Sequence, residues 1–201
     1  MFAVPNHAPK LTPTEYFAWE EQQLDRHEYI NGEVYAMSGG TRNHSRISLK
    51  LGALLDRHLS NSSCQVLNSD CRVKIIETND YTYPDVSVTC DPRDRETTQY
   101  ITYPCLIVEV LSASTEAYDR GNKFFRYRRN PQLQDYVLVS SEDIAIDIYR
   151  KNETGGWEII NYRAGDTVEL QSINLSFPIE QAYRGINFSE DPTELPPSVL
   201  P

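Results

Sequence analysis

Leu106-Ile107-Val108-Glu109-Val110-Leu111 is apolar at every position but one. Such a run predicts a strand covered on both faces, not one that alternates between core and solvent. Glu109 is the interruption. A buried, charged and unpaired carboxylate costs several kcal/mol, so it requires a cation, a metal ion or a raised pKa. On this residue alone, a solvated edge or a structural arginine explains it equally well.

Reading upstream, Pro84-Asp85 opens a second short strand, Asp85–Cys90, where Val86, Val88 and Cys90 alternate with Asp85, Ser87 and Thr89. Proline lacks a backbone donor and sits at strand starts, which places Asp85 at the strand's mouth. Asp85 and Glu109 are 24 residues apart, across the polar loop Asp91 to Thr102. If their strands are neighbours, the two carboxylates converge on one point. Two hard oxygen ligands with room for water suit Mg²⁺. Downstream, Ser112-Ala113-Ser114-Thr115 leads into a helix over Thr115 to Arg129, where Asp119, Lys123 and Tyr127 fall on one stripe at i, i+4 and i+8. A solvated Asp–Lys pair is the plain reading of that stripe. The functional reading places the Lys123 ammonium near the end of the Glu109 strand, facing a phosphate or an activated water.

The flanking sequence predicts the remaining elements. Thr12-Pro13-Thr14-Glu15 carries a capping box with proline at the first helical position. Asn31-Gly32 between two strand-like runs is a type I′ hairpin signal. Ile47, Leu51, Leu54, Leu55 and Leu59 recur at helical spacing, giving an amphipathic helix over about Asn43 to Leu59. Strands are expected at Cys64–Leu67 and Cys71–Ile76. A hairpin is expected from Tyr136–Val139 and Ile144–Tyr149, and a further pair from Trp157–Tyr162 and Thr167–Leu170. A helix between buried strands implies a crossover, hence a mixed α/β sheet with the Glu109 strand near its centre. Residues 1–11 read as a tail, 12–188 as one domain, and 189–201, with four prolines, three acids and no base, as a loose acidic tail.

The chain has 201 residues, 39% hydrophobic and 24% charged, and a net charge of −10. That describes a soluble globular domain and argues against a passive, charge-driven binder of nucleic acid or anionic lipid. No apolar run approaches a bilayer-spanning length, and the N-terminus carries no basic or apolar signal regions. Cys64, Cys71, Cys90 and Cys105 show neither finger spacing nor C-x-x-C. Reduced, buried thiols in a cytoplasmic protein are therefore expected. The acidity is an average: the 115–130 segment holds Arg120, Lys123, Arg126, Arg128 and Arg129 against Glu116 and Asp119. It is the one stripe expected to face phosphates, so any DNA binding should be weak and salt-sensitive.

Pro84-Asp85, the Leu106–Ser112 strand, Tyr118-Asp119-Arg120-Gly121-Asn122-Lys123 and the opening Glu28-Tyr29-Ile30-Asn31-Gly32-Glu33-Val34-Tyr35-Ala36-Met37 occur in order. Together with His44, they resemble the Uma-type putative restriction endonucleases of the PD-(D/E)XK nuclease superfamily, over roughly residues 12 to 185. The resemblance implies a restriction endonuclease-like core of helix, three strands, helix and strand. It also implies a divalent metal, Mg²⁺ or Mn²⁺, on Asp85 and Glu109 with the Val110 carbonyl as a third ligand. Position 111 is Leu where the superfamily pattern has Lys, and Lys123 on the following helix is the matching lysine. Glu33 would be a further acid near the metal and His44 a helper. The implied activity is metal-dependent hydrolysis of DNA phosphodiesters. Two other readings stand beside it. One is an inactive nuclease fold acting through protein association, as a homodimer; the other is a metal-free, glycosidase-like use of the two carboxylates.

Overall fold

Local signals carry the first elements. In the computed structural model, which describes residues 10–37 and 39–188, the Thr12 hydroxyl caps α1 (Pro13–Glu20) and Glu15 closes the capping box. Asn31 and Gly32 both take positive φ, 52° and 89°. They join β1 (His27–Ile30) to β2 (Glu33–Ala36) in a two-residue turn, as type I′ geometry requires. Next come α2 (Arg42–Leu59), β3 (Gln65–Asn68), β4 (Arg72–Ile75), β5 (Asp80–Thr82), β6 (Val86–Thr89), β7 (Tyr100–Ile101) and β8 (Pro104–Leu111).

Six strands form the main sheet, in the order β11 (Trp157–Arg163), β10 (Ala145–Lys151), β9 (Asp135–Ser140), β8, β6 and β3. Strands β6 and β8 pair antiparallel, with Val86 opposite Val108. Strand β8 pairs parallel with β9 (Asp135–Ser140), which requires a crossover. That crossover is the expected second helix, but it is not continuous. A single turn, α3 (Glu116–Tyr118), passes through a π-turn at Asp119–Lys123 into α4 (Phe124–Tyr127). The expected α–β–β–β–α–β core is therefore α2, β3, β6, β8, the broken crossover and β9. The strand expected at Cys71–Ile76 leaves it, because β4 joins β2-β1-β5-β4-β7 in a second sheet.

The pleat of β8 divides the core. Leu106, Val108 and Val110 pack toward α2. Ile107 and Leu111 face the second layer with Val73, Ile75, Tyr127 and Tyr136. A third cluster, Tyr16, Tyr29 and Tyr81, seats α1 on the second sheet. By the same alternation, Glu109 shares the Ile107 face, and Asp85 shares the face of Ser87 and Thr89, opposite to Val86 and Val88.

Three expectations are corrected here. Trp157–Tyr162 does not pair with Thr167–Leu170. Instead β11 (Trp157–Arg163) pairs with β10 (Ala145–Lys151), while β12 (Thr167–Leu170) pairs with β13 (Leu175–Pro178); α5 (Glu180–Tyr183) follows. The Asp91–Thr102 loop holds a 3₁₀ turn at Pro92–Arg95 and strand β7. Cys64 and Cys90 are joined by a disulfide, with Cys71 and Cys105 free. The antiparallel register opposes Gln65 and Thr89, which sets the two cysteines side by side with Cα atoms 4.0 Å apart. Of the expected tails, residues 1–9 and 189–201 lie outside the described residues; Leu11 is bonded to the hairpin through Gly32. Among the described residues no helix is long and apolar enough to cross a membrane.

Candidate active site

Register places Asp85 across from Glu109, at the mouth of β6. Asp85 Oδ2 accepts the Val110 N–H at 2.7 Å and lies 3.2 Å from His44 Nε2. Thr41 caps α2 through the His44 N–H, which fixes the histidine in the first helical turn. Glu109 and Lys123 are only 3% and 6% exposed, with Lys123 Nζ 2.9 Å from Glu109 Oε1. The contact is an ion pair by distance, yet Glu109 Oε1 has no aligned hydrogen-bond partner. The same ammonium lies 3.4 Å from Glu28 Oε1 and 3.8 Å from Asp119 Oδ1. Glu28 Oε1 also accepts the Tyr83 N–H, while Glu28 Oε2 is buried without a partner.

The π-turn explains how Asp119 and Lys123 share this space. Its wider coil brings both side chains inward, and π-turns concentrate at functional sites. The Tyr136 hydroxyl donates to the Asp119 carbonyl at 2.9 Å and pins that turn to β9. Asp85, Glu109, Lys123, Asp119, Glu28 and His44 all line one cavity of about 80 Å³.

One buried lysine thus faces three acids, with Asp85 beyond. Burial pushes the Glu109 carboxyl well above the ordinary carboxylate range. The Lys123 charge opposes that shift, and the Asp119 and Asp85 charges reinforce it. Burial also favours neutral Lys123, but Glu109 and Glu28 override this and hold it as an ammonium. Asp119 is raised, chiefly by burial. For His44, burial opposes protonation, and the Asp85 hydrogen bond and charge outweigh it, so its pKa rises.

The donor set is hard carboxylate oxygen, and Glu28 Oε2 is buried there without a hydrogen-bond partner. Among the described residues no three His, Cys, Asp or Glu side chains are arranged around one ion. What fits is an ion that takes one or two carboxylates and keeps its waters, as Mg²⁺ does.

Of the residues expected at the site, Asp85, Glu109, Lys123 and the Val110 backbone come together. Glu33 does not. It is exposed on β2, where it accepts the Tyr35 hydroxyl at 2.6 Å and lies 4.0 Å from Lys10 Nζ. The acid the hairpin contributes is Glu28, on the opposite strand. Sequence reasoning passed over Glu28, although it stands beside Tyr29 and Ile30 in a run that proves buried. Asp119 was legible only as part of the Lys123 stripe.

The basic 115–130 segment is also not the open phosphate-facing stripe expected. Arg120 is held by Glu116 and Asp147, Arg126 lies 3.5 Å from Asp80, and Arg129 pairs with Glu77. Arg128 and Arg129 stack on Phe125.

The family whose sequence profile matches residues 13–180 is described as "Uma2: Putative restriction endonuclease". The chain belongs to the Uma2 family. This Uma2 chain is 58% identical over 180 residues to uncharacterized protein slr1290 of Synechocystis sp. (strain ATCC 27184 / PCC 6803 / Kazusa), covering 90% of this chain and 95% of that one. It is 34% identical over 163 residues to uncharacterized protein sll1609 of the same strain, covering 80% and 92%. In fold it is similar to the crystal structure of a putative nuclease belonging to DUF820 from Anabaena variabilis ATCC 29413. That match has a TM-score of 0.71 and 16% identity over 86% of this chain and 97% of the other. The mixed α/β nuclease-like fold is thereby established for this Uma2 protein.

Proposed function

We propose that the chamber around Glu109 is the active site of an endonuclease that uses a divalent metal, Mg²⁺ or Mn²⁺, to hydrolyse DNA phosphodiester bonds. The observation that carries this reading is the meeting of Asp85 and Glu109, from two neighbouring strands, with Lys123 from the crossover. Asp85 and Glu109 would hold the ion, joined by the Val110 carbonyl. When bound, the ion supplies a water of lowered pKa and neutralises charge on the phosphate.

The chain's own groups do the rest. The Val110 N–H and His44 both engage Asp85 Oδ2, which fixes the carboxylate. Lys123 stabilises negative charge as it develops on the phosphate. Glu28 and Asp119 keep Lys123 protonated and aimed. A metal-free, two-carboxylate hydrolase leaves the buried ammonium beside Glu109 without a role.

The test is nicking of plasmid or cleavage of single-stranded DNA with Mg²⁺ or Mn²⁺. EDTA, Asp85→Ala and Glu109→Ala should each abolish it, and Lys123→Met should reduce it strongly. Equal residual cleavage in both alanine variants marks a contaminant and removes the site assignment.

A further inference from the structure

A second, larger cavity reaches the same carboxylate. It is a cleft of about 980 Å³ between α2 and the edge strand β3, closed at one end by Leu24–Arg26. Met37, His44 and Asp85 line both cavities, so the cleft runs into the chamber at Asp85. At 3.6 residues per turn, the buried positions Ile47, Leu51, Leu55 and Leu59 orient α2. Ser45, Ser48, Gly52 and Asp56 then fall toward the cleft, and Leu49 and Ala53 form its lip. Beyond that lip runs a stripe of Arg42, Arg46 and Lys50 at i, i+4 and i+8, with Arg57 a further seven residues on. Among the described residues no ion pair links Arg46, Lys50 or Arg57 to an acid.

The charges are sorted by position. Cations follow the lip, whereas the cleft itself is lined by Asp25, Asp56 and Asp85 with the neutral Ser45, Ser48 and Asn68, and Arg26 in that lining is already paired with Asp70. Phosphates are repelled by such a lining and attracted to the lip. Base edges find hydrogen-bond partners inside, including carboxylates that accept from exocyclic amino groups. Leu24 and Leu49, both large and exposed, offer apolar contact to base faces. A duplex hides those faces and edges within its stack, while a single strand presents them.

We propose that this cleft is the binding track for a single nucleic-acid strand, held bases inward with its phosphates along Arg46, Lys50 and Arg57, and delivered to the chamber at Asp85. The proposal rests on the nuclease reading only for what happens at the chamber. The track binds without metal and can be tested separately.

The probe is a short fluorescein-labelled single-stranded oligonucleotide of mixed sequence, followed by anisotropy in EDTA against the full chain. Three phosphate contacts predict that a fourfold rise in salt weakens binding about 20-fold. Lys50→Glu with Arg57→Glu should weaken binding about tenfold or more and flatten the salt dependence. Ala53→Trp, at an exposed lip position, should obstruct the cleft and weaken binding without changing net charge. Arg128→Glu, which reverses one positive charge away from the cleft, should leave binding unchanged. All three variants should melt as the wild type does.

Absent binding, equal affinity for the corresponding duplex, or insensitivity to both the α2 and Ala53 changes overturns the proposal. Binding that follows this pattern with no cleavage under Mg²⁺ or Mn²⁺ sustains the track and removes the nuclease reading. Cleavage of the same oligonucleotide with KM unchanged in both the α2 and Ala53 variants does the reverse.

Discussion

The crossover segment, residues 116–129, and α2 together hold nine of the nineteen lysines and arginines in this chain, and their surroundings are opposite. In the crossover, acids from distant strands and turns meet the cations: Glu109, Asp147, Asp80 and Glu77 each hold one. On α2 the cations point outward past a cleft, and Arg46, Lys50 and Arg57 have no acid within ion-pair distance among the described residues. Two basic helical segments with similar spacing therefore differ in what their charge does. In one it offsets buried carboxylates and orders the chamber. In the other it remains available to a ligand. Local composition counts charges but does not show where their partners come from.

The largest effect that tests this contrast is on Lys123. Lys123→Met leaves Glu109, Glu28 and Asp119 facing one another in a buried space. A loss of about 3–5 kcal/mol in unfolding free energy is expected by urea denaturation at neutral pH. Adding Glu109→Gln should restore part of that loss. An unchanged midpoint in the single variant would show that the crossover charge is not structural.

A pH series sharpens the same point. Burial raises the Glu109 carboxyl in the folded, metal-free protein, so above the ordinary Glu range the native state keeps a proton that the unfolded state has lost. Stability must then fall as pH rises through the folded pKa. Glu109→Gln should flatten that fall in urea titrations run upward in pH from the ordinary Glu range.

A smaller effect is expected at Arg120. The Asp147 carboxyl is subject to burial, which pushes it up, but hydrogen bonds from Asn161, Arg163 and Arg120 leave it lowered overall. A lowered folded pKa contributes stability above the ordinary Asp range and loses it as pH falls. Arg120→Ala should cost at most about 1 kcal/mol at neutral pH, and thermal melts should show the deficit shrinking on acidification. The smallest effect belongs to α2. Lys50→Ala and Arg57→Ala should each shift stability by no more than about 0.5 kcal/mol, although their charge reversal weakens strand binding. A large stability loss there would erase the distinction between the two segments.

Most of the secondary structure was legible because its signals are local. The Thr12 capping box, the Asn31-Gly32 turn and the α2 periodicity each depend on residues within a few positions of one another. The crossover misled the reading because Asp119 to Lys123 forms a π-turn. The inward placement of Asp119 and Lys123 is tied to the Tyr136 hydroxyl and to Glu28, both far off in sequence. Cys64 and Cys90 misled it for a related reason: only the β3–β6 register sets them opposite each other. Glu28 and Glu33 illustrate the same limit within one hairpin, since either acid satisfies the turn and only the docking of β1 on β5 decides which is buried.

The sequence by itself determined that Glu109 needs a partner, because a carboxylate within an apolar strand has no inexpensive alternative. It also determined that Asp85 opens a second strand and that Lys123 follows on a helical stripe. Tertiary structure alone decided that all three line one cavity with Glu28, Asp119 and His44, and that the exposed cations lie on α2. The physical reason is range. Hydrogen-bonded turns and helical periodicity act over a few residues, whereas a charge buried in a low dielectric is governed by whichever partners the fold carries to within a few ångströms.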